Sequence, residues 1–160
     1  VLHLFKNLPS ATLDKFASEG RKFIVSPHHL CSFDVPYVMT PIKNLYAFEP
    51  VSHLGKNADK AEILGVEGLL WGEWVYDLQK VEFNSLPRMC ALGETGWSPK
   101  EARDYSSFAK RWQGNRKILD IVGANWASDK LARGNLLFRS RDIFIWKTAD
   151  QYGEVRRNKK

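Results

Sequence analysis

Residues 65–74, GVEGLLWGEW, form the stretch that decides the fold prediction. A short apolar run between glycines is typical of a buried strand, so residues 65–71 are predicted to form one. This strand ends in Trp71, and Glu73 and Trp74 follow it directly. A carboxylate and two indoles at the end of a buried strand indicate a ligand site there.

Strands and helices alternate on both sides of this stretch. Further strands are predicted at residues 1–5 and 22–27, and helices at residues 10–20, 57–64, 81–97 and 98–123. Ser10 and Ser98 are the predicted N-caps of the first and last helix, and Pro87 is expected to kink the third. This alternation predicts an α/β fold with a parallel sheet, whose chemistry gathers at the C-terminal ends of the strands.

Composition limits the chain to a single core. Its 160 residues are 44% hydrophobic, enough for one core and too few for two. No run of eighteen apolar residues occurs, so no membrane span is predicted. Cys31 and Cys90 lie far apart in the sequence and form no disulfide framework, so both are expected to be buried thiols. Residues 1–7 lack signal-peptide features and an initiator Met, which suggests that the gene begins upstream and leaves the compartment open.

The positive charge is concentrated at one end. Residues 127–160 hold nine Lys or Arg against four Asp or Glu, which accounts for most of the net charge of +6. The remainder is nearly neutral, so it has no electrostatic preference for polyanions. Residues 127–160 are therefore interpreted as a solvated basic extension, and a nucleic-acid-binding module is an alternative that rests on this segment alone.

Residues after the opening stretch carry a resemblance to a known family. Trp71-x-Glu73, followed by Pro87, Arg88, Ala91, Glu94 and Trp97, resembles the end of the catalytic barrel of family-20 glycoside hydrolases, the β-N-acetylhexosaminidases. Residues 23–34, FIVSPHHLCSFD, resemble that barrel's seventh strand and loop, and residues 46–50 and 119–126 resemble later segments. The resemblance covers residues 1–126 and implies the C-terminal portion, about strands 6–8, of a TIM (β/α)8 barrel.

The family mechanism implies roles for particular residues. Family members use the substrate's own acetamido group as the nucleophile, with a Glu as general acid and a neighbouring Asp that orients the acetamido nitrogen. By this resemblance Trp71 is the stacking platform of the terminal sugar, Glu73 binds its O4 and O6 hydroxyls, and Asp34 binds another hydroxyl. The alternatives are a core tryptophan for Trp71, a solvated loop acid for Glu73 and a loop-capping residue for Asp34.

Three departures from the family pattern stand out. Ser32 occupies the position of the tyrosine that donates to the acetamido oxygen, and Phe5 that of a tryptophan in the pocket wall. The sequence contains no Asp-Glu dipeptide, the pair that supplies the general acid. No catalytic residue is therefore assigned within this chain, and the acid is expected on a strand upstream of residue 1.

Other groups of polar residues give weaker indications of a metal or catalytic site. His28, His29, Cys31 and Asp34 match no common zinc spacing, so no metal is predicted, and no cofactor motif is present. Glu67 is expected mid-strand in a structural role. Glu94 is expected to pair with Arg88 or a backbone group rather than to catalyse.

Two functions follow from these patterns. The chain is interpreted as part of a β-N-acetylhexosaminidase acting on an N-acetylhexosamine-containing glycan, or as a non-catalytic sugar-binding or interaction relic of that barrel. In either case the edge at residues 1–5 is expected to be covered by another chain or by the missing part of the barrel. The preference for GlcNAc or GalNAc, the linkage and the oligomeric state stay open.

Overall fold

The computed structural model of the protein describes residues 1–72, 74–133, 140–141 and 143–144. Three parallel strands form one sheet in the order β1-β2-β3, which confirms the predicted α/β fold. The strands are β1 (Leu2–Leu4), β2 (Lys22–Val25) and β3 (Glu62–Val66). The α-helices are α1 (Ser10–Ser18), α2 (His28–Cys31), α3 (Ile42–Tyr46), α4 (Leu78–Ser85), α5 (Arg88–Trp97), α6 (Tyr105–Val122) and α7 (Asp129–Ala132). Single 3-10 turns span Pro50–His53, Ala58–Lys60 and Lys100–Ala102.

The first crossover unit follows the sequence prediction closely. Helix α1 buries Leu13 and Ala17 toward the sheet, and Gly20 ends the turn after it with a φ of +66°, a conformation that glycine adopts without strain. Ser10 is not the N-cap that was predicted. It is the first helical residue, preceded by Pro9, and no side chain caps this end of the helix.

The third strand lies earlier in the chain than predicted. Residues 57–64 were expected to form a helix, but only the turn Ala58–Lys60 is helical, and β3 starts at Glu62. The expected strand 65–71 is wrong as well, since regular pairing with β2 ends at Val66. This segment forms a strand because Ile63 and Val66 pair with Phe23 and Val25 of β2. Such tertiary contacts override a weak local preference for helix.

The predicted helices after β3 are divided. Pro87 separates α4 from α5, because proline lacks the N–H that would continue the helix. The last predicted helix starts late, after the turn Lys100–Ala102. Its N-cap is Asp104, whose carboxylate accepts a hydrogen bond from the Ser106 N–H at 2.8 Å, and Ser98 lies outside the helix.

The core lies on one side of the sheet. Leu4, Phe23 and Val25 are buried against the helices, and they join one cluster with residues of α1, α3, α5 and α6. The strand residues that alternate with them, such as His3 and Lys22, are exposed. Among the described residues, helices therefore cover one face of the sheet and leave the other open.

Both edges of this sheet are open within the described part of the chain. There β1 pairs only with β2, as was predicted for residues 1–5, and β3 likewise pairs only with β2. Three strands cannot close into a barrel, which needs about eight. Unpaired strand edges are a liability that native proteins usually cover or protect.

Several predictions about composition can be compared with the structure. Neither cysteine forms a disulfide. Cys31 is buried as predicted, and burial raises the pKa of its thiol to about 12. The prediction of burial is wrong for Cys90, which is exposed on α5. None of the helices in the described ranges is long and apolar enough to cross a membrane. Glu73 and most of the predicted extension 127–160 lie outside the described residues, so the division into a barrel part and an extension stays a prediction.

Candidate functional site

The C-terminal ends of the three strands meet at one edge of the sheet. Because the strands are parallel, the residues that leave them lie side by side: Phe5 after β1, Ser26 after β2 and Glu67 after β3. Glu67 was predicted to be mid-strand, but it follows the last residue of β3. This edge is where a parallel α/β sheet gathers its chemistry.

A second contact joins the chain after β2 to the chain after β3. Ser32 and Leu69 form an isolated parallel bridge, in which the Phe33 N–H donates to the Leu69 carbonyl at 2.7 Å and the Leu69 N–H to the Cys31 carbonyl at 2.8 Å. Asp34 and Trp71 each lie two residues beyond this bridge. The bridge therefore brings the predicted hydroxyl-binding residue and the predicted platform to the same edge.

Close packing explains one glycine of the opening stretch. A Cβ atom on Gly68 would lie 2.5 Å from Cε2 and 2.8 Å from Cζ of the Phe33 ring. Phe33 is buried against the core, so its ring covers the Gly68 backbone directly. Glycine at this position lets the loop that carries Asp34 approach the loop that carries Trp71.

Two aromatic side chains contact each other across the mouth of the sheet. The ring centroids of Phe5 and Trp71 are 6.3 Å apart with an interplanar angle of 52°, and Trp71 is 50% exposed. Trp71 lies in a loop five residues beyond β3, so strand alternation does not set its direction. The contact with Phe5 orients it instead, and an indole face left accessible suits the apolar face of a sugar ring.

A buried arginine supports the Asp34 loop. The Arg88 guanidinium donates a hydrogen bond from Nη1 to the Phe33 carbonyl at 2.8 Å and lies 3.7 Å from the centroid of the Tyr37 ring. Burial lowers the pKa of Arg88 to about 10, and the neighbouring Tyr37 and Asp34 side chains oppose that shift. The Asp34 carboxylate therefore lies beside a cation that the fold holds in place.

Tyr37 was not singled out from the sequence. Its hydroxyl donates toward the carbonyls of Phe83 and Leu86, each at 2.9 Å, and so joins the loop after β2 to the C-terminal end of α4. Burial raises the pKa of this hydroxyl, which stays protonated as a donor. No motif in the sequence marks this role.

The structure can be compared with each predicted site residue. Phe5, Ser32, Asp34 and Trp71 lie at the same edge of the sheet, with Ser32 and Asp34 buried. Glu73 lies outside the described residues. The arrangement offers an accessible indole with a second aromatic ring beside it and a buried carboxylate on the neighbouring loop.

Comparison with known proteins identifies the family. Residues 2–100, more than half of the chain, match the sequence profile of glycosyl hydrolase family 20, catalytic domain. The chain belongs to glycosyl hydrolase family 20. A beta-hexosaminidase of Akkermansia muciniphila is 26% identical over 119 residues, covering 68% of this chain and 24% of that protein. The beta-hexosaminidase subunit beta of Mus musculus is 39% identical over 69 residues, covering 43% of this chain and 13% of that protein.

A solved structure shares the fold of this family-20 chain. The GH20 beta-N-acetylhexosaminidase from Streptomyces coelicolor A3(2) superposes with a TM-score of 0.69 at 23% identity, over 79% of this chain and 28% of that one. Family-20 enzymes of this kind are TIM barrels, which agrees with the parallel α/β arrangement found here. The chain spans about a quarter or less of the curated relatives named above.

Glu94, part of the family-20 pattern, has a different partner from the one predicted. It accepts two hydrogen bonds from the Arg111 guanidinium, both at 2.8 Å, and a third from the Tyr46 hydroxyl at 2.6 Å. Arg88 is six positions earlier in α5, and six residues of a helix separate two side chains by about 120° in rotation and about 9 Å along the axis. The Arg111 bonds, followed by the one from Tyr46, hold the pKa of Glu94 below its usual range despite partial burial.

The histidine-rich loop after β2 holds four side chains of metal-binding types, His28, His29, Cys31 and Asp34. Among the described residues, no group of three or more His, Cys, Asp or Glu side chains is arranged to hold a metal ion. The ring centroids of His29 and His53 are 6.0 Å apart, and the His53 ring lies 5.1 Å from that of Phe48. Burial and His29 both lower the pKa of His53, which favours a neutral imidazole in this packing.

Proposed function

We propose that the chain is the C-terminal portion, strands six to eight, of the TIM barrel of a β-N-acetylhexosaminidase and carries the sugar-binding side of its site. The Phe5–Trp71 pair at the C-terminal edge of the sheet is the observation that carries this proposal. The open face and edges of the sheet support a partial barrel, because further strands would cover them. Relatives named beta-hexosaminidase support the reaction class.

In this proposal each residue at the edge has a distinct role. Trp71 stacks on the apolar face of the terminal N-acetylhexosamine, and Phe5 forms an adjoining wall of the acetamido pocket. Asp34 accepts a hydrogen bond from a sugar hydroxyl, and Arg88 keeps the loop that bears it in place. Glu73 accepts from the O4 and O6 hydroxyls as an ionised carboxylate, which makes stronger hydrogen bonds than a neutral acceptor does.

The remaining chemistry belongs to residues upstream. We infer a retaining, substrate-assisted reaction in which the acetamido group of the sugar attacks its own anomeric carbon. The general acid and the acetamido-orienting aspartate are supplied by an Asp-Glu pair, which the 160 residues lack. Either that part of the barrel or another chain covers the edge of β1.

A non-catalytic sugar-binding relic is the second candidate. Ser32 favours it, because its side chain is several ångströms shorter than the tyrosine expected at this position and is buried beside the Leu69 bridge. The shorter Ser32 side chain would not extend to the acetamido oxygen, which would then lack the hydrogen-bond donor that the tyrosine supplies in family enzymes. The two candidates share the sugar site and differ only in turnover.

Activity and coding sequence together test the proposal. We expect the coding sequence upstream of Val1 to encode an Asp-Glu pair and five preceding βα units, and the complete product to hydrolyse an aryl N-acetyl-β-glucosaminide. Residues 1–160 alone should show no appreciable turnover, since loss of general acid catalysis alone costs about 10²–10⁴-fold. Turnover by residues 1–160 would refute the assignment of the acid. A complete product that binds N-acetylglucosamine without turnover would establish the relic.

A further inference from the structure

Three polar side chains from three different strand ends meet beneath the aromatic pair. His3 lies in β1, Ser26 follows β2 and Glu67 follows β3. His3 Nε2 is hydrogen-bonded to Ser26 Oγ, and Glu67 Oε2 lies 3.6 Å from the same nitrogen. None of the roles assigned above uses this cluster.

The charges of the cluster indicate where the imidazole proton lies. A carboxylate close to Nε2 favours a proton on that nitrogen, because the lone pair of the other tautomer would face a negative charge. The His3 Nε2–H then donates to Ser26 Oγ, and Glu67 Oε2 lies 3.6 Å from the same nitrogen, beyond hydrogen-bond distance. His3 thereby contacts two side chains that follow different strands, Ser26 through a hydrogen bond and Glu67 through a longer electrostatic contact.

The contact between His3 and Glu67 crosses a whole strand. β1 and β3 each pair with β2 and not with each other, so about 10 Å separates their backbones at ordinary strand spacing. Phe5, two residues after His3, contacts Trp71 in the loop after β3, so the aromatic pair also connects the ends of β1 and β3. The His3 and Phe5 ring centroids lie 6.2 Å apart, so the polar bridge contacts the aromatic pair directly.

We propose that His3 is a positioning residue whose bridge to Glu67 and Ser26 sets the distance between Phe5 and Trp71. It holds the ends of β1 and β3 at a fixed separation, and that separation determines the width of the sugar subsite above. His3 itself needs no contact with the sugar. This inference rests on the proposed function of the Phe5–Trp71 pair.

Substitutions at His3 test the bridge in the complete protein. His3→Leu keeps a side chain of similar size next to Phe5 and removes the N–H, whereas His3→Gln retains an N–H donor. Glu62→Gln is the matched control, because the Lys22–Glu62 pair joins β2 and β3 with a 2.9 Å contact at the opposite end of the sheet. The measurements are KM and kcat with an aryl N-acetyl-β-glucosaminide and the Kd of N-acetylglucosamine by calorimetry.

A widened subsite weakens binding more than it slows the reaction. We expect His3→Leu to raise KM and Kd by about fivefold to tenfold with kcat within about twofold, and His3→Gln and Glu62→Gln to stay within about twofold of wild type. Glu67→Leu should weaken binding similarly, so this single variant tests the bridge even if His3→Leu fails to fold. Combining it with His3→Leu should cause no further loss of affinity, because both changes break the same contact.

Two kinds of result would overturn the inference in different ways. Unchanged KM and Kd in His3→Leu, equal losses in His3→Leu and His3→Gln, or additive losses with Glu67→Leu would remove the positioning role while the sugar site stands. A wild-type protein that does not bind N-acetylglucosamine would instead remove the proposed function, and the role of His3 with it.

Discussion

Replacing Gly68 with alanine should displace the loop that carries Asp34. The new methyl carbon would lie 2.5, 2.8 and 3.2 Å from three atoms of the Phe33 ring, whereas carbon atoms pack at about 3.5–4.0 Å. The ring must therefore retreat by about 1 Å, yet it is buried and its backbone is tied to Leu69 and Arg88. Overpacking of this kind costs about 1–3 kcal/mol.

Gly65→Ala is the matched control, because no atom lies within 4 Å of its added carbon and its φ is not in the left-handed region. In thermal unfolding of the purified protein, Gly68→Ala should lower Tm by about 2–10 °C, while Gly65→Ala should be neutral or slightly stabilising. Gly68→Ala should also weaken binding of N-acetylglucosamine. Equal Tm values for the two variants would refute the packing described between Gly68 and Phe33.

Two further predictions concern the site and the outer helices. Trp71→Ala should weaken N-acetylglucosamine binding, measured by calorimetry, by about 2 kcal/mol or more, and Glu73→Gln should weaken it by about 1–2 kcal/mol. The control Trp97→Ala removes an indole that is 91% exposed on α5 and should leave binding unchanged. Equal losses of affinity in Trp71→Ala and Trp97→Ala would contradict the role of Trp71 as the stacking platform. Since the pKa of Glu94 is lowered in the folded state, its stabilisation is complete above the ordinary glutamate pKa and is lost as pH falls through the lower folded value. Glu94→Gln should therefore reduce the free energy of unfolding at pH 7 and lose this effect in acid, and a pH-independent difference would refute the ion pair with Arg111.

The parallel α/β arrangement could be predicted from the sequence because apolar runs and helix signals alternate along it. The position of β3 could not. Residues 57–61 have a local preference for helix, while Ile63 and Val66 gain their partners only when β2 lies alongside. A preference of a few tenths of a kcal/mol per residue is outweighed by such tertiary contacts.

The site shows the same division between local pattern and distant contact. Trp71 and Asp34 were identified by motif, and the Ser32–Leu69 bridge that brings their loops together is invisible in the sequence because it joins residues far apart. Arg88 was recognised within a motif but assigned the wrong partner, since its contacts with Phe33 and Tyr37 depend on how α5 packs. Helix geometry alone would have excluded Glu94 as that partner.

The most direct test of the central claim is a crystal structure of the complete protein with N-acetylglucosamine bound. The account predicts a pyranose ring stacked on Trp71, bordered by Phe5, with its hydroxyls within hydrogen-bond distance of Asp34 and Glu73. A sugar bound elsewhere on the barrel, with the indole of Trp71 packed against protein and Glu73 directed into solvent, would contradict it.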